Sequence, residues 1–135
     1  MYNDLKEDNV MINENGEATL IDFGLCTKYV DEKGEHIFES EVCPVFRGNF
    51  IFSSPHALQF GRPSRKDDLF QLCYFLIFLL NGSKFPGELE KDLNLCQDYL
   101  ELIYRCYRYK KDIKLPQLAL CSQNMAFLKF CDFVQ

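Results

Sequence analysis

The chain has 135 residues, of which 47% are hydrophobic and 15% aromatic, and its 15 basic and 20 acidic side chains give a formal net charge of −5. This length suits one domain or one lobe of a larger domain. The composition excludes a disordered chain, and the acidic balance argues against a protein that binds nucleic acid through bulk electrostatics.

The first predicted element is a small two-stranded hairpin. The apolar runs Val10-Met11-Ile12 and Thr19-Leu20-Ile21 flank Asn15-Gly16, a dipeptide typical of tight hairpin turns. Residues 25–64 then follow neither a helical nor a strand period, and Pro and Gly residues interrupt them repeatedly. Such a long irregular segment is unusual in a compact domain and tends to be functional.

Helices are predicted for the second half of the chain. Ser64 is a candidate N-cap for a helix from about residue 65 to Leu80, which Asn81-Gly82 would end. Because the run from Leu69 to Leu80 is almost entirely apolar, we expect this helix to be buried on nearly all sides. The run is too short to span a membrane.

Two further helices are predicted. Apolar residues at steps of three and four predict an amphipathic helix that packs one face on the core or serves as a seam for a partner helix. These residues are Leu89, Leu93, Cys96, Leu100, Ile103 and Tyr107. A last helix is predicted for Gln123 to Val134.

The seven cysteines indicate thiols rather than a disulfide or zinc framework. Their number is odd, no C-x-x-C pair occurs, and most lie among apolar neighbours. We therefore expect reduced, mostly buried thiols in an intracellular protein, cytoplasmic or nuclear. His36 and His56 are too far apart to complete a zinc site with them. No secretory signal is visible, because residues 1–10 are charged and lack an apolar core.

The stretch DLKEDNVMINENGEATLIDFG, residues 4–24, carries the candidate chemistry. Asp4 is suited to accept a proton from a hydroxyl nucleophile, and Lys6 to neutralise phosphate charge. The hairpin would return Asp22 close to Asn9, so that an amide oxygen and a carboxylate could share one Mg²⁺ ion. The alternative is a solvated acidic loop before an ordinary hairpin. The two short motifs together, at the two ends of one predicted hairpin, favour function.

At these residues the chain resembles a protein kinase. YNDLKEDNVMI is similar to the catalytic loop of that family, and IDFGL is similar to its metal-binding motif. The segment from Arg47 to Gly82 resembles the casein kinase I group, whose Ser-Arg-Arg-Asp-Asp-Leu string here reads Ser64-Arg65-Lys66-Asp67-Asp68-Leu69. PQLALCSQNMAFLKFCDFV resembles a late helix of that group.

The resemblance implies a role for each residue of the motifs. Asp4 would be the base for a substrate Ser or Thr hydroxyl, Lys6 would contact the transferred phosphate, and Asn9 and Asp22 would hold Mg²⁺ against the phosphates of ATP. Other residues would support them structurally: Tyr2 by aromatic packing, Phe23 in an internal hydrophobic column, Gly24 in a sharp turn, and Asp68 by hydrogen bonds to the catalytic-loop backbone.

The chain also departs from the family pattern. Tyr2-Asn3 replaces the His-Arg that precedes the catalytic Asp, so we expect no switch operated by an activation-loop phosphate. Asn49 stands where the family usually has Thr, and its amide could take the place of that hydroxyl near Asp4. Ile51 replaces an Arg that binds acidic groups on substrates. A different anion site could be supplied by Arg47, Arg62, Arg65 and Lys66, or these could form a solvated basic edge.

The resemblance covers only the large lobe of a kinase, because no glycine-rich loop or ATP-binding lysine precedes Asp4. We therefore expect a mainly α fold, a helical kinase large lobe with a small β-hairpin, forming a partial kinase domain over residues 1–135. Met1 would begin a truncated gene model or an internal start, with little or no catalysis by the chain alone. The full-length form would be a monomeric Ser/Thr kinase acting on protein substrates, without a membrane span. The alternative is a pseudokinase module that binds a partner through a helix from Glu88 to Arg108.

Overall fold

The computed structural model describes residues 1–37, 42–85, 89, 96–119 and 124–135. Within these ranges the chain is mainly helical with one two-stranded antiparallel sheet, which confirms the predicted fold class. The elements are β1 (Val10–Ile12), β2 (Ala18–Leu20), α1 (Pro55–Leu58), α2 (Arg65–Leu80), α3 (Tyr99–Lys111), α4 (Leu115–Leu118) and α5 (Met125–Val134), and a 3-10 turn (Glu7–Asn9) precedes β1.

The predicted hairpin is confirmed. β1 and β2 pair with Val10 opposite Leu20, and the turn between them contains Gly16 at φ +80°. This left-handed conformation explains the preference for glycine at this position. β2 ends one residue earlier than predicted, and the Ile21 N–H donates instead to the Asn9 carbonyl at 3.0 Å.

Residues 25–64 are irregular in their described part, as predicted. Two isolated bridges, Val30 with His36 and Val42 with Gly61, are the strand pairings described there. The helix described in this segment, α1, has four residues, and the Ser54 hydroxyl caps it by accepting from the Ala57 N–H at 3.0 Å. A single helical turn has no apolar period, so the sequence pattern gave no sign of it.

The helix predicted from residue 65 to Leu80 is α2, and it begins directly after Ser64. The Asp67 carboxylate accepts from the Ser64 N–H at 2.6 Å and from the Ser64 hydroxyl at 2.7 Å. The expected burial on nearly all sides is wrong. The described helices cover the face that carries Cys73 and Ile77, whereas a second apolar stripe stays 36–48% exposed: Leu69, Leu72, Leu79 and Leu80.

The long amphipathic helix predicted from Leu89 is wrong in its described part. Cys96 to Asp98 are not helical, and α3 begins at Tyr99, where the Asp98 carboxylate accepts from the Glu101 N–H at 2.9 Å. Glu88 lies outside the described residues. Because Cys96 to Asp98 are not helical, the partner helix predicted from Glu88 to Arg108 is not one continuous helix. Within α3, Ile103 and Cys106 are buried, but Leu100 is exposed.

The last predicted helix is α5, which begins at Met125 after Asn124; the predicted start, Gln123, lies outside the described residues. The Asn124 side chain accepts from the Ala126 and Phe127 N–H groups. Cys131 of α5 and Cys73 of α2 are fully buried against each other. None of the described helices is long and apolar enough to cross a membrane.

The described core is rich in aromatic rings. Phe52 packs edge-to-face against Phe75 and Phe78, with ring centroids 5.5 and 5.4 Å apart, and Phe85 lies against the same cluster. The six described cysteines are free thiols, but only Cys73, Cys106 and Cys131 are buried. The expectation of mostly buried thiols is therefore met at three of the six described positions.

Candidate active site

The peptide that carries Asp4 is held from below by the first turn of α2. The Asp68 carboxylate accepts from the Tyr2 N–H at 2.8 Å and from the Asn3 N–H at 2.9 Å, so the expected contact between Asp68 and this loop is present. Asn3 adopts a left-handed backbone at φ +68°, a conformation that Asn tolerates better than most residues. Asp68 therefore fixes the entry to a bent loop.

Gln71 holds the same loop from its other side, and the sequence pattern did not identify it. Its Oε1 accepts from the Leu5 N–H at 3.0 Å, and its Nε2 donates to the Asn3 carbonyl at 3.1 Å. Gln71 is 4% exposed, so these hydrogen bonds are made away from water. The sequence does contain a sign of this role: Gln71 is a polar residue in an otherwise apolar stretch of helix, three positions after Asp68 and therefore on the same helix face.

The predicted residues Asp4, Lys6 and Asn9 converge. The Lys6 ammonium donates to Asp4 Oδ2 at 2.9 Å, and the Asn9 Nδ2 donates to the same oxygen at 2.9 Å and to the Asp4 carbonyl at 2.8 Å. The hydrogen bond to Asp4 raises the pKa of Lys6. The Asp4 side chain is 7% exposed. This arrangement presents one oriented carboxylate beside one cation.

The hairpin returns Asp22 to the neighbourhood of Asn9, because the residue before Asp22 bonds to the Asn9 carbonyl. Asp22 is exposed and has a left-handed backbone at φ +56°. Its Oδ1 accepts from the Gly24 N–H at 3.1 Å. The sharp turn expected at Gly24 is therefore made at Asp22, which has the left-handed backbone. A Cβ at position 24 would lie 3.1 Å from Asp22 Oδ1, so a larger residue there would require the exposed Asp22 side chain to shift slightly.

Of the two aromatic residues beside this turn, Tyr2 meets the expectation and Phe23 does not. Tyr2 packs as predicted: its hydroxyl donates to the Ile21 carbonyl, and burial raises the pKa of its phenol. Phe23 is 63% exposed, and its ring meets Tyr2 edge-to-face at a centroid distance of 5.8 Å. The expectation that Phe23 lies in an internal hydrophobic column is wrong for this chain, since the described residues leave most of its ring in solvent.

A second segment, the turn from Asn49 to Ser53, borders Asp4 through Gly48. Gly48 has φ +105°, and a Cβ there would lie 2.5 Å from the Asn3 carbonyl oxygen and 4.0 Å from Asp4 Oδ1. The backbone thus approaches the Asp4 loop as closely as only glycine allows. The Asn49 side-chain oxygen accepts from the Ile51 N–H at 2.8 Å. It therefore caps this turn, and the interaction with Asp4 expected of Asn49 is not among the hydrogen bonds described.

Three of the four residues predicted to form an anion site surround one cavity. Arg47, Arg62 and Arg65 line a cavity of about 810 Å³ together with Lys28, and the described lining contains no Asp or Glu. The Arg65 guanidinium lies 4.9 Å from the centroid of the Tyr29 ring. Lys66 does not belong to this cavity, because its ammonium turns to the Gln135 carbonyl at 3.2 Å.

The donor set at the hairpin fits a hard cation. The Asn9 amide nitrogen is occupied by Asp4, which leaves its amide oxygen as the ligand atom, and one oxygen of Asp22 is not used by Gly24. An amide oxygen and a carboxylate oxygen, completed by water and phosphate, are the ligands that Mg²⁺ prefers. In the described ranges no group of three or more His, Cys, Asp and Glu side chains lies together as a metal site.

The chain is similar to protein kinases over nearly its whole length. Residues 1–133 match the family model described as protein kinase domain. The chain is 34% identical over 144 aligned positions to casein kinase 1-like protein HD16 of Oryza sativa subsp. japonica. The alignment covers 99% of this chain and 18% of that protein. It is 33% identical over 130 positions to mitogen-activated protein kinase kinase kinase 18 of Arabidopsis thaliana, covering 95% of this chain and 33% of that protein.

A third relative is a probable casein kinase I homolog of Encephalitozoon cuniculi. It is 36% identical over 86 positions, which cover 64% of this chain and 26% of that protein. The chain therefore spans 18% to 33% of the length of these curated relatives.

Proposed function

Because the chain belongs to the protein kinase family, we propose that it forms part of a serine/threonine kinase related to the casein kinase I group. In this proposal residues 1–135 are a partial kinase domain, from the catalytic loop to a late helix of the large lobe. The observation that carries it is the buried Asp4 carboxylate, which receives hydrogen bonds from Lys6 and Asn9 on a loop fixed by Asp68 and Gln71.

Asp4 is the proposed base. As the hydroxyl oxygen of a substrate Ser or Thr attacks the γ-phosphorus of ATP, its proton passes to Asp4, and the bond to the leaving ADP oxygen breaks. Lys6 lies 2.9 Å from Asp4 and carries a positive charge, so it can neutralise charge on the transferred group. The Gly48 backbone borders Asp4 on the side of the Asn49–Ser53 turn, since a Cβ there would lie 4.0 Å from Asp4 Oδ1.

Asn9 and Asp22 are the proposed ligands of Mg²⁺. When bound, the ion supplies neutralisation of the negative charge on the phosphates of ATP. The hydrogen bond from the Ile21 N–H to the Asn9 carbonyl closes the hairpin directly before Asp22, and it therefore helps to set the spacing between Asn9 and Asp22. Both residues therefore act through oxygen atoms whose positions depend on the hairpin register.

The cavity lined by Arg47, Arg62, Arg65 and Lys28 is a proposed site for an acidic group on the protein substrate. A concave surface lined by several cations favours anionic groups. Lys66 is left out of this site because of its contact with Gln135. A monomeric state and an intracellular location remain predictions.

The proposal is tested with the longer protein that contains this chain, by following transfer of labelled phosphate from ATP to casein. Asp22→Asn removes the charge that would hold Mg²⁺ and is expected to lower transfer by about a hundredfold or more. The matched control is Asp8→Asn, an exposed carboxylate of the same loop, expected to change transfer by less than about twofold. Label on Ser and Thr identifies the acceptor. Absence of transfer in the unmodified protein would favour the alternative, an inactive module that binds a partner.

A further inference from the structure

Lys110 is a fully buried lysine, and no carboxylate among the described residues pairs with it. It lies near the C-terminal end of α3 and is 2% exposed. No ion pair described for this chain includes it. A buried ammonium without a counter-ion is costly and needs hydrogen-bond acceptors in compensation. Lysine at such a position therefore requires an explanation beyond packing.

The acceptors all come from one distant segment. The Lys110 side chain donates to the carbonyl oxygens of Ile51, of Ser53 at 2.7 Å and of Phe50 at 3.4 Å, which are 57 to 60 residues away in sequence. The Tyr74 ring of α2 lies 4.2 Å from the ammonium and closes the site. Two close contacts need two N–H donors, and both the ammonium and the neutral amine provide them.

The bonded segment is the Asn49–Ser53 turn, which borders the proposed base through Gly48. The turn is closed by the Ser53 N–H donating to the Asn49 carbonyl at 3.1 Å and by the Ile51 N–H donating to the Asn49 side chain. Its carbonyls face Lys110, while Gly48 at its start lies against Asn3 and Asp4. A shift of the turn would therefore change the space in which a substrate hydroxyl meets Asp4.

We propose that Lys110 is a positioning residue that ties the Asn49–Ser53 turn to α3 and so sets the geometry of the substrate side of Asp4. The part of this inference that concerns the reaction rests on the proposed kinase function. The part that concerns the order of the turn does not. The two parts can therefore fail separately.

Protonation supplies a signature that packing alone would not produce. Burial lowers the pKa of Lys110 to about 7. Among the described residues, the titratable groups near it are Tyr74 from α2 and, from its own helix, Cys106 and the neighbouring Tyr109. Burial raises the pKa of all three, so they stay neutral near pH 7. When the turn opens and Lys110 becomes hydrated, its pKa returns to the ordinary value, so opening takes up a proton above about pH 7.

The test is amide hydrogen exchange of Ile51, Phe52 and Ser53 in the 135-residue chain, corrected for the intrinsic rate at each pH. In the unmodified chain, protection is expected to be constant below about pH 7 and to rise above it, approaching tenfold per pH unit. In Lys110→Arg, which stays charged, protection should not follow pH. In Lys110→Met, which leaves the carbonyls without donors, protection should fall by about tenfold or more at every pH.

The hairpin amides provide an internal reference, since exchange at Met11 and Thr19 should not change. Both histidines remain in every variant, so any pH dependence of turn protection that they cause would also appear in Lys110→Met. If the protection of the turn in Lys110→Met still rises with pH, the proposal is wrong. Turn protection in Lys110→Met equal to that of the unmodified chain would overturn it as well. If Lys110→Met does not fold, the comparison of the unmodified chain with Lys110→Arg still decides, because identical pH profiles would reject the proposal. In the longer kinase, loss of turn order without a change in KM for casein would reject the part that concerns the reaction.

Discussion

The Asp4 peptide is clamped by two side chains on one face of α2. Asp68 takes the N–H groups of Tyr2 and Asn3, and Gln71 takes the Leu5 N–H and the Asn3 carbonyl. Four backbone groups are thereby given hydrogen-bond partners around Asn3, which has a left-handed backbone. The orientation of the proposed base thus depends on residues that lie 65 to 68 positions away in sequence.

Gln71→Met tests this clamp, because methionine keeps the volume but removes both hydrogen bonds. The Leu5 N–H and the Asn3 carbonyl would be left buried without partners, at a cost of about 1–3 kcal/mol for each group. We therefore expect a clear fall in the free energy of unfolding, measured by urea denaturation. Leu72→Met, one position along and 36% exposed, is the control and should change stability little. Equal stability of the two variants would mean that Gln71 does not support the loop.

Among the elements, α2 was predictable and α3 was not. Ser64, Asn81 and Gly82 are local signals at the two ends of α2, and the structure uses them. For α3, the apolar steps from Leu89 to Tyr107 continue across Cys96 to Asp98, where the chain is not helical. Asp98 begins a new helix as its N-cap, but the apolar residues keep the same spacing on both sides of it. The spacing alone therefore predicted a longer helix than the structure contains.

Asp98→Ala distinguishes a helix that begins at Tyr99 from one that runs without interruption through Asp98, because the two predict opposite changes in the free energy of unfolding. As the N-cap of α3, Asp98 accepts from the Glu101 N–H, and its loss should lower the free energy of unfolding by about 1 kcal/mol. Within an uninterrupted helix, the same change would replace a poor helix former by the best one and stabilise the protein. Asp112→Ala, an exposed carboxylate after the last residue of α3, serves as the control. The readout is thermal or urea unfolding followed by circular dichroism.

The candidate site also contains residues that local sequence spacing predicted and residues that it did not. Asp4, Lys6 and Asn9 lie within six residues of one another, and a tight hairpin separates Asn9 from Asp22, so short-range spacing was enough to bring them together. Gln71 and Lys110 act on backbone groups 57 to 68 residues away, and no local pattern contains that information. The exposure of Phe23 was missed for a related reason, because burial depends on what surrounds a residue in three dimensions.

For the molecule as a whole, Lys110 couples folding to pH. Its pKa is about 7 in the folded chain and has the ordinary value of 10.5 when the chain is unfolded. Below about pH 7 both states carry the proton, and above it only the unfolded state does. The free energy of unfolding therefore rises with pH because of this residue, by at most about 1.4 kcal/mol per pH unit.

This dependence is measured as the difference in unfolding free energy between the unmodified chain and Lys110→Met, in which all other titrating groups cancel. The difference should be flat from about pH 6 to 7 and should grow in favour of the unmodified chain up to about pH 8.5. A difference that shrinks or stays constant over the upper part of this range would show that Lys110 remains charged in the folded protein.

The charge distribution of the molecule also favours an acidic partner at one position. The chain carries a net charge of −5, yet Lys28, Arg47, Arg62 and Arg65 line one cavity. A group of cations on a concave surface can attract an acidic group locally, even on a chain whose net charge is negative. This contrast agrees with the proposed role of the cavity in holding an acidic group of a protein substrate.

The most direct test of the central proposal is the single-turnover rate of phosphoryl transfer from ATP to casein by the longer kinase, with and without Asp4→Asn. Asparagine keeps the shape of Asp4 but cannot accept the hydroxyl proton, so the rate should fall by about 10²–10⁴-fold while ATP binding is retained. Asp8→Asn, on the same loop, should leave the rate within about twofold of the unmodified enzyme. An Asp4→Asn rate equal to that of Asp8→Asn would contradict the assignment of Asp4 as the base.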